Sequence, residues 1–296
     1  TYVKEAGQSD YLATNGIKDD ISEIFKDLSM PYEMVQQLAE YAEKVGIIFM
    51  SSPFSERDLS EVDRFAPIHK IASYEITHSR LIDAAARTNK PLILSTGASE
   101  ICDIERAIQR FKAITKSPVY LMQCTAKYPA PLSTLNLNVI PQLKTRFSVP
   151  VGLSDHSRDP ITGPVCAVAL GANLIEKHYT LNNDLPGPDH KFAVTGEELA
   201  LMVKNIRQAE ESLGHGIKQV LDEEKELYSF ARRGLQALCD IPAGVSLLEG
   251  ENFAILRPGK QKQGMNPMFI ESIANAKSRR AIPSGDGIQF EDLELN

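Results

Sequence analysis

Two histidines close apolar, β-prone runs: His156 ends "PVGLSDH" (150–156) and His178 lies in "NLIEKHYT" (173–180). The second run drives Leu174 and Ile175 straight into a carboxylate, an amine and an imidazole: Glu176, Lys177 and His178. Side chains alternate faces along a strand, so Ser154 shares a face with His156, and Glu176 with His178. On consecutive strands both imidazoles would reach one rim. Two neutral imidazoles, with Asp155, Glu176 and Asp189 nearby in sequence, suit a divalent metal with open positions for substrate. The competing reading is two unrelated histidines hydrogen-bonded at strand ends. No HExxH signature accompanies them.

A second group sits in "HKIASYE" (69–75), where Lys70, Ser73 and Glu75 follow one another closely. Ser73 and Glu75 have the same parity and Lys70 the opposite one. All three serve one site only if the strand bulges or the lysine curls inward, and an inward lysine needs an anionic partner. Otherwise Lys70 is a snorkelling surface residue and Glu75 a helix cap. Ser52, Thr96 and Ser154 add hydroxyls at other run ends, and a lysine with several hydroxyls suits a small phosphorylated or carboxylated ligand. Neither a P-loop nor GxGxxG occurs. "QCTAKYPAP" (123–131) and "LPGPDHK" (185–191) are proline-rich loops whose Tyr128 and Asp189 could bind hydroxyls or be ordinary turn residues.

The elements that must position these groups are short apolar runs at 46–52, 69–75, 91–97, 118–124, 150–156 and 173–180, alternating with amphipathic helical stretches. That alternation predicts a parallel sheet covered by helices. Chemistry at nearly every run end favours a (β/α)8 barrel, with the site at the C-terminal rim, over a doubly wound sheet. Six runs fall short of eight. The opening stretch reads as a loop followed by the helix "PYEMVQQLAEYAEKVG", so two βα units, about 50 residues, are expected upstream. The expected organisation is an N-terminally incomplete barrel at 1–213, a linker at 214–231 and a small β-rich domain at 232–296. Thr195 and Glu198 have capping-box spacing ahead of the last barrel helix. The tail echoes itself, "IPAGVSLLEGENF" (241–253) against "IPSGDGIQFEDLE" (282–294), as two packed half-units would.

Composition narrows the partners. The 296 residues are 43% hydrophobic, with net charge −7, so nucleic acid is a poor candidate. No run spans a bilayer, and residues 1–12 lack signal-peptide features. Four scattered cysteines form no CxxC pair; Cys166 and Cys239, in apolar runs, read as buried thiols, and a reducing cytoplasm fits.

"KIASYEI", "LILSTG", "CTAKYPAP", "VGLSDHS", "LIEKHYTL", "LPGPDHK" and, in the tail, "LRPG" together resemble the sialic acid synthase family. That family includes N-acetylneuraminate, legionaminate and pseudaminate synthases and the spore-coat polysaccharide proteins, whose wording is nearest. The resemblance implies a (β/α)8 barrel joined to an antifreeze-like (SAF) domain. It also implies condensation of phosphoenolpyruvate with an N-acetylated hexosamine, giving a nine-carbon 2-keto acid and phosphate. His156 and His178 would hold Mn²⁺ or Mg²⁺. Lys70, Ser73, Ser52 and Ser154 would bind phosphoenolpyruvate. Thr96 would add a hydroxyl to the substrate set, Glu75 would sit beside the sugar aldehyde, and Tyr128 and Asp189 would contact the sugar. Arg257, in "LRPG", would reach the partner's barrel in a homodimer.

Three departures stand out. Ala126 occupies a position where sialic acid producers have Asn, and Ser52 one where many relatives have Thr. A Glu on the first barrel strand and a Lys and Gln ending the second would precede Thr1. The alternatives are a metal-dependent barrel hydrolase and an inactive carbohydrate-binding homologue on the same scaffold.

Overall fold

Five short runs pair in parallel: β1 (His69–Ile71), β2 (Leu92–Ser95), β3 (Val119–Cys124), β4 (Val151–Asp155) and β5 (Ile175–Lys177), in the order β1-β2-β3-β4-β5. The computed structural model describes residues 3, 6–7 and 20–294. The chain forms two compact units, Thr1–Gly214 and His215–Asn296. Each connection between these strands carries a helix: α4 (Ser79–Arg87), α5 (Ile101–Ile114), α6 (Val139–Phe147) and α7 (Thr162–Ala169). A parallel neighbour requires such a crossover, and the helices cover one face of the resulting curled half-barrel sheet.

Strand register sorts the residues by face. Ile71 pairs with Leu94, Leu94 with Leu121, Leu121 with Val151 and Leu153 with Ile175. These residues pack with Leu81, Ile104, Phe111, Ile140 and Leu143 into the core between sheet and helices. The alternate positions, Lys70, Met122, Cys124, Ser154 and Glu176, therefore occupy the other face. There, apolar bulk gives way to chemistry.

Ahead of β1 lie α1 (Ile21–Asp27), α2 (Glu33–Val45) and α3 (Glu56–Asp63). The opening stretch was expected to be a loop. Residues 8–19 lie outside the described residues; after them Asp20 caps α1, accepting from Ser22 N at 2.8 Å. The run at 46–52 forms no strand, so five rather than six are present among the described residues. Its Ile47 and Ile48 are 65% and 74% exposed. Gly46, at φ 78°, ends α2, and among the described residues β1 hydrogen-bonds within the sheet to β2 alone. An apolar run becomes a strand only where a partner ladder receives it.

α8 (Gly196–Leu213) starts at the expected capping box, with Thr195 N donating to Glu198 Oε2 at 2.9 Å. In the second unit α9 (Lys225–Ala231) precedes two antiparallel pairs. These are β6 (Gly234–Ala237) with β7 (Phe253–Leu256), and β8 (Lys277–Ser278) with β9 (Leu293–Glu294). The two echoed segments meet at equivalent points: Ile241 N donates to Ile282 O at 2.8 Å, and Ile282 N to Ile241 O at 2.9 Å. Gly244 and Gly285, with φ of 81° and 83°, make matching turns that a Cβ would strain. Cys166 and Cys239 are exposed, against expectation, and only Cys124 of the four is buried. The apolar neighbours of Cys166 belong to the inner face of α7, which it does not share.

Candidate active site at the strand ends

His156 follows β4 directly and His178 follows β5, and their ring centroids lie 5.3 Å apart, edge to face. Tyr128, from the proline-rich loop after β3, stacks on His156 at 4.3 Å and meets His178 edge-on at 6.0 Å. Phe192 closes the other side, 5.1 Å from His178. It is placed by the return of the chain beside β5, where Val194 N donates to His178 O at 2.8 Å. Aromatic neighbours shield His156 fully and His178 in part, and burial, the leading cause, lowers the proton affinity of both. His156 is pushed down to about 4. Both rings are therefore neutral at pH 7. His156 Nδ1 donates to Thr125 O at 2.9 Å, which leaves the Nε2 lone pair available.

A polar cluster lies next to the rings. Lys70 is buried, with Nζ 3.3 Å from Glu176 Oε2, and Ser154 Oγ donates to Glu176 Oε1 at 2.8 Å. The parity conflict between Lys70 and Ser73 is resolved without a bulge. β1 ends at Ile71, and Ser73–Glu75 turn as a 3₁₀ helix, so Lys70 faces inward from the strand and Ser73 from the turn. Ser73 Oγ accepts from Gly97 N at 3.0 Å and donates to Cys124 Sγ at 3.5 Å. Glu75 holds Oε2 buried with no hydrogen-bond partner among the described residues, and burial raises its carboxyl above the usual range.

The remaining expected site residues are placed less centrally. Thr96 is buried and its hydroxyl donates to Met122 O at 2.9 Å. Asp189, in the loop before Phe192, has Oδ2 3.8 Å from His178 Nε2. Ser52 is half-buried in the connection ahead of α3. Arg257 is exposed directly after β7, in the second unit.

Phe192 and Cys124 escaped the sequence reading, and Glu176 entered it only as a neighbour of the histidines. Glu176 serves as joint partner of Lys70 and Ser154, and Phe192 as a wall for His178. Cys124 lies 3.9 Å from His156 Nδ1, and burial raises its thiol, so it packs there as a neutral group. Cys124 ends a strand just as His156 follows one, a signal that pointed to it; Phe192 gave none, because its place depends on a chain return.

Residues 1–218 match the NeuB family. The spore coat polysaccharide biosynthesis protein SpsE of Bacillus subtilis is 37% identical, over 99% of this chain and 82% of its own. The chain belongs to the NeuB family. A Campylobacter jejuni pseudaminic acid synthase is 35% identical over 97% of this chain and 82% of its own length. Among solved structures, B. subtilis SpsE superposes with TM-score 0.60 at 36% identity, covering 94% of this chain and 82% of that one. The sialic acid synthetase of Leptospira borgpetersenii superposes with TM-score 0.66 at 35% identity, covering 69% and 72%. This NeuB-family chain is thus an enzyme, a sugar-acid synthase of the transferase kind.

The two imidazoles fit a divalent cation of the Mn²⁺ or Mg²⁺ class in part. Both are neutral, and the tautomer of His156 is set by Thr125 O. Among the described residues no group of three or more His, Cys, Asp or Glu side chains is arranged to hold a metal, so further positions on such an ion would fall to substrate or water.

Proposed function

We propose that the chain condenses phosphoenolpyruvate with an N-acetylated hexosamine of the ManNAc type, giving a nine-carbon 2-keto sugar acid and phosphate. The product class is sialic, pseudaminic or legionaminic, used for surface or spore-coat polysaccharide. What supports this reading is the juxtaposition of a neutral histidine pair, centroids 5.3 Å apart, with a buried lysine whose partner is a carboxylate 3.3 Å away. C3 of phosphoenolpyruvate forms the new bond to the aldehyde carbon of the open-chain sugar. Water adds at C2, and the bond from C2 to the phosphate oxygen breaks.

Lys70 is the cation for the carboxylate or phosphate of phosphoenolpyruvate, with hydroxyls from Ser73, Ser154 and Ser52 orienting it; a buried ammonium acts strongly where water is scarce. Thr96 shapes the floor through its tie to Met122. Glu75, a buried carboxyl of raised pKa, is suited to hold a proton and deliver it at the acceptor oxygen. Tyr128 and Asp189 bind sugar hydroxyls beside His178. A cation held by His156 and His178 would supply Lewis acidity at the aldehyde.

The finer architecture belongs to the same proposal: a catalytic unit of (β/α)-barrel type over 1–213, a linker over 214–231 and an SAF domain over 232–296. The functional species is a cytoplasmic homodimer, with Arg257 reaching the partner's site. Among the described residues no helix is long and apolar enough to cross a membrane.

Phosphate release from phosphoenolpyruvate, measured with and without N-acetylhexosamine and Mn²⁺, tests the reaction. Release only when both are present is expected. Release without the sugar would point to a hydrolase, and sugar binding without turnover to an inactive homologue.

A further inference from the structure

Lys177 ends β5 between two site residues, Glu176 within the strand and His178 just past it, yet it belongs to the opposite face of the sheet. Its register partner is Asp155, and the two side chains are 2% and 0% exposed. Nζ lies 2.6 Å from Asp155 Oδ2 and donates to Ser157 O at 2.5 Å, Ser157 Oγ at 3.2 Å and Asp159 O at 2.9 Å. The loop is braced further. Ser157 N donates to Asp155 Oδ1 at 2.8 Å, while Asp159 Oδ1 accepts from Ile161 N and Thr162 N at 2.8 and 2.6 Å, holding the start of α7. A buried ammonium is costly unless oxygens surround it, and here one comes from the end of β4 and three from the loop that follows.

Asp155 and Ser157 are the sequence neighbours of His156. We propose that Lys177 is a positioning residue for the two-histidine site: its ammonium, enclosed by the loop from Asp155 to Asp159, fixes the backbone on both sides of His156 and so holds the imidazole against Thr125 O. The residue preceding one histidine thereby positions the other. Without that clamp the ring can turn away from Thr125, and neither nitrogen is uniquely protonated. The proposal rests on His156 being a site residue, not on the identity of the substrates.

Histidine side-chain ¹⁵N shifts at neutral pH read the tautomer without any ligand. The unsubstituted protein is expected to show a single Nδ1–H form for His156. K177M leaves Asp155 as a lone buried carboxylate and loses stability. D155N/K177M removes both charges and, with an apolar chain in place of the ammonium, keeps cooperative unfolding. In the folded double variant His156 becomes a mixture of tautomers and Mn²⁺ affinity falls about 10- to 100-fold, as expected for supporting residues around a metal site. Propylammonium added to K177A, replacing the deleted part of the side chain, restores the single tautomer. A folded double variant with unchanged His156 shifts would overturn the proposal. Should neither protein bind Mn²⁺ while the tautomer still changes, the positioning role stands and the metal reading fails.

Discussion

Glu176 joins two groups that an anionic ligand would need: Oε2 lies 3.3 Å from Lys70 Nζ, and Oε1 accepts from Ser154 Oγ at 2.8 Å. The carboxylate makes burial of Lys70 tolerable, and it also competes with any incoming anion. E176Q keeps an acceptor for Ser154 while removing the charge. Calorimetry should show phosphoenolpyruvate binding E176Q about 3- to 10-fold more tightly, since a like charge a few ångströms away opposes an anion by about 1 kcal/mol. Weaker binding would mean that Glu176 holds the ligand instead of competing with it.

The histidine pair makes a prediction about metal. H178A, at a half-exposed position, should leave thermal unfolding close to the unsubstituted protein and abolish retention of Mn²⁺ by dialysis and elemental analysis. Unchanged metal content would remove the two-histidine site. H156A should also lose metal, with a larger loss of stability, because His156 is buried under Tyr128.

Stability should depend on pH through His156, whose proton affinity falls from the ordinary 6.5 to about 4 on folding. Above pH about 6.5 neither state is protonated. Between about 6.5 and about 4 the unfolded chain takes up a proton that the folded chain does not, so stability falls throughout that window and no further below it. Each pH unit within it costs about 1.4 kcal/mol from this group. His178 moves in the same direction. Urea unfolding across the window should show the decline, and H156Q should reduce its slope.

Gly97 sets the floor beneath Ser73. A Cβ there would meet Cys124 Sγ at 2.8 Å and Ser73 Oγ at 3.0 Å, while Gly97 N donates to that same hydroxyl. G97A should cost about 1–3 kcal/mol in chemical unfolding and weaken phosphoenolpyruvate binding by displacing Ser73. G97A binding as tightly as the unsubstituted protein would show that Ser73 lies outside the ligand's reach.

The alternation of apolar runs with amphipathic stretches was legible as a parallel α/β unit because each run alone is hydrophobic enough to be buried. The run at 46–52 shows where that reasoning stops: Ile47 and Ile48 have strand composition and remain exposed. Local propensity cannot supply the neighbour that a strand needs. Cys166 makes the same point for helices, since an apolar neighbourhood does not say which face a residue takes.

By itself, the sequence determined which side chains share a face near the strand ends: two-residue alternation fixes Ser154 with His156 and Glu176 with His178. Only the tertiary structure decided the partners across strands, because register and chain reversals set distances between residues far apart in sequence. It turned Ser73 inward through a 3₁₀ helix, set Glu176 against Lys70 and placed Phe192 on His178. It also separated the three consecutive ionisable residues at the end of β5 and just past it, sending Glu176 and His178 to the site and Lys177 to Asp155 behind it. The pleat makes that division available, and packing gives each face its use.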